Sequence, residues 1–263
     1  MASEATNAPK TPLGVGAIIS DSFSILFGNF VKVAILGFIG AFLGFVVNTV
    51  FFGFGVATGS SEDFNFDPNT IFISSAVSTI INAVVYGFVT ALLIQLAYDA
   101  KLGRRNTIGA YFSAALPAIF PIVVLTLVIS ILSVIGMIAL IVGALWVYAV
   151  FYVTAPVAVI EKGGFGSMGR SAALTKEYRW PIVGLFLVVV IISVILQMVG
   201  GFVVGGLGFL ATGVVGQVIA GVGLSIIVGL AYGFGGIAVA LVYARLREIK
   251  EGVEVDQIAT VFE

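Results

Sequence analysis

The chain has 263 residues, of which 60% are hydrophobic and 10% charged. A soluble domain carries about 25% charged residues and cannot hide this much apolar surface from water, so the solvent read from composition is lipid. The net charge of −1 gives no argument for nucleic acid, the absence of Cys excludes disulfides and thiolate metal sites, and the absence of His removes the commonest general base and metal ligand.

The first ten residues, MASEATNAPK, lack a basic stretch followed by an apolar run, so no cleavable signal peptide is expected and the first span is read as an uncleaved anchor. Residues 1–29 are read as a cytoplasmic N-terminus with a short interfacial helix. Ile18, Ile19, Ser22, Leu26 and Phe30 recur on one face, with Asp21 and Asn29 as polar breaks. Being short of charge, this helix is expected to bury partly against the bundle.

A first hairpin follows over residues 30–98, from apolar runs at Phe30–Val56 and Ile71–Tyr98. Its loop, ATGSSEDFNFDPNT, holds Glu62, Asp63 and Asp67. It lacks the oxygen spacing and turn glycine of a calcium site and reads as solvated. The stretch 107–160 is too long for one span and suits a second hairpin turning near Gly136. A cytoplasmic interfacial segment, 161–179, precedes a third hairpin at 180–245 and a cytoplasmic tail at 246–263. The glycine-rich piece Gly200–Gly216 is expected to be a connector, re-entrant or not.

Charge placement decides the span number. Lys10 and Lys32 flank the start; Lys101, Arg104 and Arg105 follow the second span; Lys162, Arg170, Lys176 and Arg179 follow the fourth; Arg245, Arg247 and Lys250 follow the last. Six spans place all 12 on one side, as the positive-inside rule requires, and a seventh would move the last three outside. The expectation is an all-α, polytopic membrane helical bundle with about six transmembrane helices, short interfacial amphipathic helices and both termini cytoplasmic. SILFGNFVKVAI, ALPAIFPIVVLT and TKEYRWPIVGLF read as a weak threefold repeat of interfacial helix and hairpin, with Pro121 and Pro181 at helix starts.

The segment EKGGFGSMGRSAALTKEYRWP gathers the mid-chain charge. Ser167 is expected to cap a helix running to about Arg179. Its basic residues either fix topology alone or, as Arg170, Lys176 and Arg179 with Trp180 at headgroup depth, meet lipid phosphates. With no His, it offers a poor acid–base pair. Gly37, Gly40 and Gly44, with Gly229 and Gly233, give small-xxx-small faces for bundle packing or for a homo-oligomer or membrane-complex partner. Asn48, Asn82, Gln95, Gln197 and Gln217 are expected to cross-link helices, or to line a polar path. No charge lies mid-span, which argues against an ion-coupled pump but not against a passive lipid path. No phosphate-binding NTPase loop, metal-ligand cluster, cofactor motif or nucleic-acid patch is seen.

APVAVIEKGGFGSMGRSAALTKEYRWPIVGLFLV and the ending YARLREIKEGVEVDQIATVFE resemble the bacterial glycerophosphoryl diester phosphodiesterase membrane-domain and YciC-like group of integral membrane proteins. The resemblance rests on Pro156 and Glu161 closing a span and on Arg170–Ser171 and Leu174–Thr175 in a short helix. It rests further on Trp180 opening the next span, and on Tyr243, Leu246, Arg247, Glu251 and Gly252 at the end. VGAIISDSFSILFGNF fits the group's opening helix. The resemblance implies a six-span domain of the bacterial inner membrane, without a settled activity. Some relatives are fused to a soluble phosphodiesterase, for which no segment outside these spans is large enough. The expected function is a non-enzymatic, lipid-associated scaffold or membrane-homeostasis factor with membrane lipids as partners. The alternatives are a passive transporter or channel for a lipid or small apolar solute, and a structural subunit of a larger membrane complex.

Overall fold

The computed structural model describes residues 11–57, 67–104, 106–210 and 213–252. Among these residues the chain is all-α, with no strand. The helices in order are α1 (Val15–Gly28), α2 (Phe30–Phe52), α3 (Phe54–Ala57), α4 (Pro68–Lys101), α5 (Ile108–Gly136), α6 (Leu140–Val150), α7 (Thr154–Ile160), α8 (Ser167–Leu174), α9 (Arg179–Leu210) and α10 (Gly213–Glu251). Counting α6 and α7 as one span, six are long and apolar enough to cross a membrane. The chain is a multi-pass membrane protein.

Helix is what lipid demands, because only there does every backbone group find a partner within its own segment. The ends are marked by local chemistry. Asp67 accepts hydrogen bonds from the Asn69 and Thr70 N–H groups at the start of α4, with Pro68 in its first turn. Thr107 accepts from the Ala110 N–H to start α5. A short 3-10 turn at Met137–Ala139 reverses the chain after Gly136, where the second hairpin was expected to turn.

α10 is the central helix and touches α1, α2, α4, α7, α8 and α9. Gly37 of α2 and Gly229 of α10 face each other so closely that a Cβ on either would strike the other's backbone. The small residues thus serve packing within this chain.

The core is concentrated in one half of the bundle, the half that ends in the basic residues. Val33, Leu36, Leu92, Leu93, Ile182, Ile237 and Leu246 lie there, each 0–1% exposed. At the far end, large apolar side chains such as Phe72, Ile138 and Phe202 point outward, at 76%, 85% and 85% exposure. Lipid can cover such a surface where water could not.

Several expectations are corrected. α9 runs on as helix to Leu210 and α10 resumes at Gly213, so Gly200–Gly216 is not a long connector. A glycine costs a helix about 1 kcal/mol, less than leaving a backbone group unpaired in lipid. α5 is one continuous helix that starts before Pro117 and carries Pro121 in its interior, so the second unit has no separate interfacial helix and the threefold repeat is incomplete. α10 continues to Glu251 with Leu246 fully buried, so the last span outruns residue 245. α1 does pack on the bundle, through Ile18, Ser22 and Leu26. The acidic-loop residues Glu62 and Asp63, and the tail beyond Gly252, lie outside the described residues.

Candidate functional site

The basic end of the bundle is built around residues 161–181. Lys162 (φ 53°) and Glu177 (φ 76°) adopt left-handed backbone at the two corners of α8. The second corner explains why α8 stops at Leu174, short of the expected Arg179. Ser167 does not cap α8 with its side chain; its hydroxyl instead donates backward to the Gly164 carbonyl at 2.7 Å.

α8 carries two sets of contacts. On one side, Arg170 reaches Glu161 at the end of α7, with Nε 3.0 Å from Oε2, and also Glu251 at the end of α10. Arg247 Nε donates to the second oxygen of Glu251 at 2.8 Å, and the Tyr243 hydroxyl donates to Glu161 Oε1 at 2.8 Å. Arg247 Nη1 closes the circuit onto the Tyr243 oxygen at 3.3 Å. Two guanidiniums, two carboxylates and a phenol thus join α7, α8 and α10 with no net charge. The hydrogen bond to Glu161 raises the Arg170 pKa above its ordinary value, so Arg170 stays charged at any working pH.

On the other side, Ser171 and Thr175 serve the break between α6 and α7. Residues 151–153 leave the helical path inside a span, and the Val150 carbonyl there would lack a partner. The Ser171 hydroxyl donates to it at 3.0 Å, and the Thr175 hydroxyl, also 3.0 Å away, shares its one proton between it and the Ser171 carbonyl at 2.9 Å.

The four residues expected at lipid headgroups therefore part company. Arg170 is held by carboxylates. Lys176 is exposed and has no ion pair among the described residues. Arg179 lies with its guanidinium carbon 5.1 Å from the Trp146 ring centre, and its buried Nε has no hydrogen-bond partner. Trp146 and Trp180 pack ring against ring at 5.5 Å, and Trp180 is 63% exposed. Lys176, Arg179 and Trp180 stay together at the start of α9. Trp146 was not singled out in the sequence, where it sits unmarked in an apolar run.

Three of the five in-span amides bond within their own helix. Asn48, Asn82 and Gln197 each donate to a carbonyl four residues back, at 3.0, 2.9 and 3.2 Å. Asn48 and Asn82 share a recess beside Gly40 and Gly44, whereas Gln197 is exposed on α9. These three do not line one continuous path, and these bonds do not cross between helices.

No family model, curated protein or solved structure matches the chain.

Proposed function

We propose that this chain is a non-enzymatic, lipid-associated protein of the bacterial inner membrane, acting as a scaffold or membrane-homeostasis factor with both termini cytoplasmic. In this reading Lys176, Arg179 and Trp180, joined by Trp146, hold an anionic lipid headgroup at the inner leaflet. The observation that carries it is Arg179. It is a cation over the ring of Trp146, which packs against Trp180, and it has a buried donor without a partner among the described residues. A phosphate oxygen supplies both the missing acceptor and the opposite charge. Arg170 plays a different part and ties the helix ends together. The residues behind the resemblance to the glycerophosphoryl diester phosphodiesterase membrane-domain and YciC-like group, notably Glu161, Arg170, Tyr243, Arg247 and Glu251, converge in that tie, which supports proposing membership.

The test is native mass spectrometry of the protein released from nanodiscs made of phosphatidylglycerol and phosphatidylcholine. Retention of phosphatidylglycerol in fixed stoichiometry, lost in the Lys176→Gln/Arg179→Gln variant and kept in Arg170→Gln, supports the reading. Equal retention of both lipids by wild type and variant removes it.

A further inference from the structure

A second feature lies deeper in the bundle, away from the basic end. Between α4, α5, the α6–α7 break and α10 is a cavity of about 360 Å³. It falls within the range of small-molecule sites. Its wall is mostly aliphatic and aromatic, with Ile122, Leu125, Phe151 and Val239 among the lining residues. Eight lining residues carry hydroxyls, among them Tyr86, Thr126, Ser130, Tyr148, Tyr152 and Thr154. Among the described residues no Asp, Glu, Lys or Arg lines it. Measured along α5 from Ile122 to Ser133, it is about 16 Å long at the helical rise per residue.

One lining group stands out. Thr154 is 3% exposed and its hydroxyl has no hydrogen-bond partner. The reason is visible in the fold. A threonine in a helix commonly donates to the carbonyl four residues back, and for Thr154 that is Val150. The chain leaves the helical path between the two, and that carbonyl is taken up by the Ser171 hydroxyl, with the Thr175 hydroxyl beside it. The break that opens the cavity therefore leaves one hydroxyl to spare at its wall.

We infer that this cavity is a binding site for an uncharged single-chain amphiphile, a hydrocarbon tail ending in one hydroxyl or carbonyl. The tail lies along α5 against Ile122 and Leu125, and the polar end pairs with Thr154. A charged headgroup is disfavoured because it would lose its hydration with no opposite charge to meet it. Entry is from the hydrocarbon, since Ser130, a lining residue, is itself exposed on α5. The site is independent of the headgroup reading, which concerns the basic end.

The experiment uses the full chain in phosphatidylcholine nanodiscs with hexadecanol bearing a diazirine in its chain. After irradiation, adducts are mapped by peptide mass spectrometry. The expected adducts fall within residues 122–133 and 148–155, and are displaced by unlabelled hexadecanol but not by palmitate at pH 8. Thr154→Val keeps the side-chain shape, so it should weaken labelling about tenfold, as loss of one hydrogen bond predicts. The same change should leave thermal stability unchanged or higher, because it removes an unpaired buried group; a purely structural threonine would show the reverse. Ser130→Phe, at the exposed mouth of the cavity, should abolish labelling by blocking entry. Three results would overturn the proposal: adducts spread over the lipid-facing sides of α2 and α9, equal displacement by palmitate, or wild-type labelling of both variants. Wild-type labelling of both would mean that the probe reacts from the surrounding lipid and not from the cavity.

Discussion

The Tyr243 hydroxyl donates to Glu161 Oε1 at 2.8 Å, joining residues 82 positions apart. Tyr243 is fully buried at the end of the central helix, and Glu161 marks the point where the fourth span ends. This bond brings α7 and α10 into one body, and the arginines on either side extend it to α8.

Tyr243→Phe removes the hydrogen bond donated to Glu161 and the longer one accepted from Arg247. It should lower stability in detergent by about 1–2 kcal/mol, read from the thermal unfolding midpoint. Glu161→Gln should cost somewhat more, since it also releases Arg170, although partial exposure of that pair limits the loss. The two effects should be non-additive in a double-mutant cycle, because the residues share one bond. Strict additivity would show that the contact contributes nothing.

Ser171→Ala and Thr175→Val act on one carbonyl. Either alone leaves Val150 with a partner and should cost little. The double variant strands a buried acceptor inside the membrane and should cost roughly 1–3 kcal/mol. Equal effects from single and double variants would mean that the break is satisfied some other way.

Gly37→Ala should be destabilising by about 1–3 kcal/mol, because its methyl group would meet the Gly229 backbone and force α2 from α10. Gly184→Ala is the matched control, since open space surrounds that position. There the gain in helix propensity should leave stability unchanged or slightly raised.

The span number was legible because charge is expensive in lipid and the basic residues fall in four groups. Lys32, Lys101, Arg179 and Lys250 each mark the end of a long helix facing the same way, and the structure has the six apolar helices this implies. What stayed hidden was anything decided by one hydrogen bond. Ser167 sits where a cap is common, yet its hydroxyl turns the other way. Pro121 resembles a helix start, but Thr107 had already opened that helix. The α6–α7 break carries no glycine at residues 151–153; its partners, Ser171 and Thr175, come from a separate helix, and local sequence cannot announce such a contact. The headgroup candidates were found as a group because they are charged. Their division into a tied Arg170 and an Arg179 without an ion pair among the described residues depends on where Glu161 and Glu251 come to rest.

The most direct measurement uses the chain's only two tryptophans, Trp146 and Trp180, which lie side by side at the proposed headgroup site. Tryptophan fluorescence in proteoliposomes, excited where tyrosine does not absorb, therefore reports that site alone. Brominated phosphatidylglycerol should quench it more than brominated phosphatidylcholine at equal mole fraction, and the difference should vanish in Lys176→Gln/Arg179→Gln. Equal quenching by the two lipids in the wild-type protein would contradict the account.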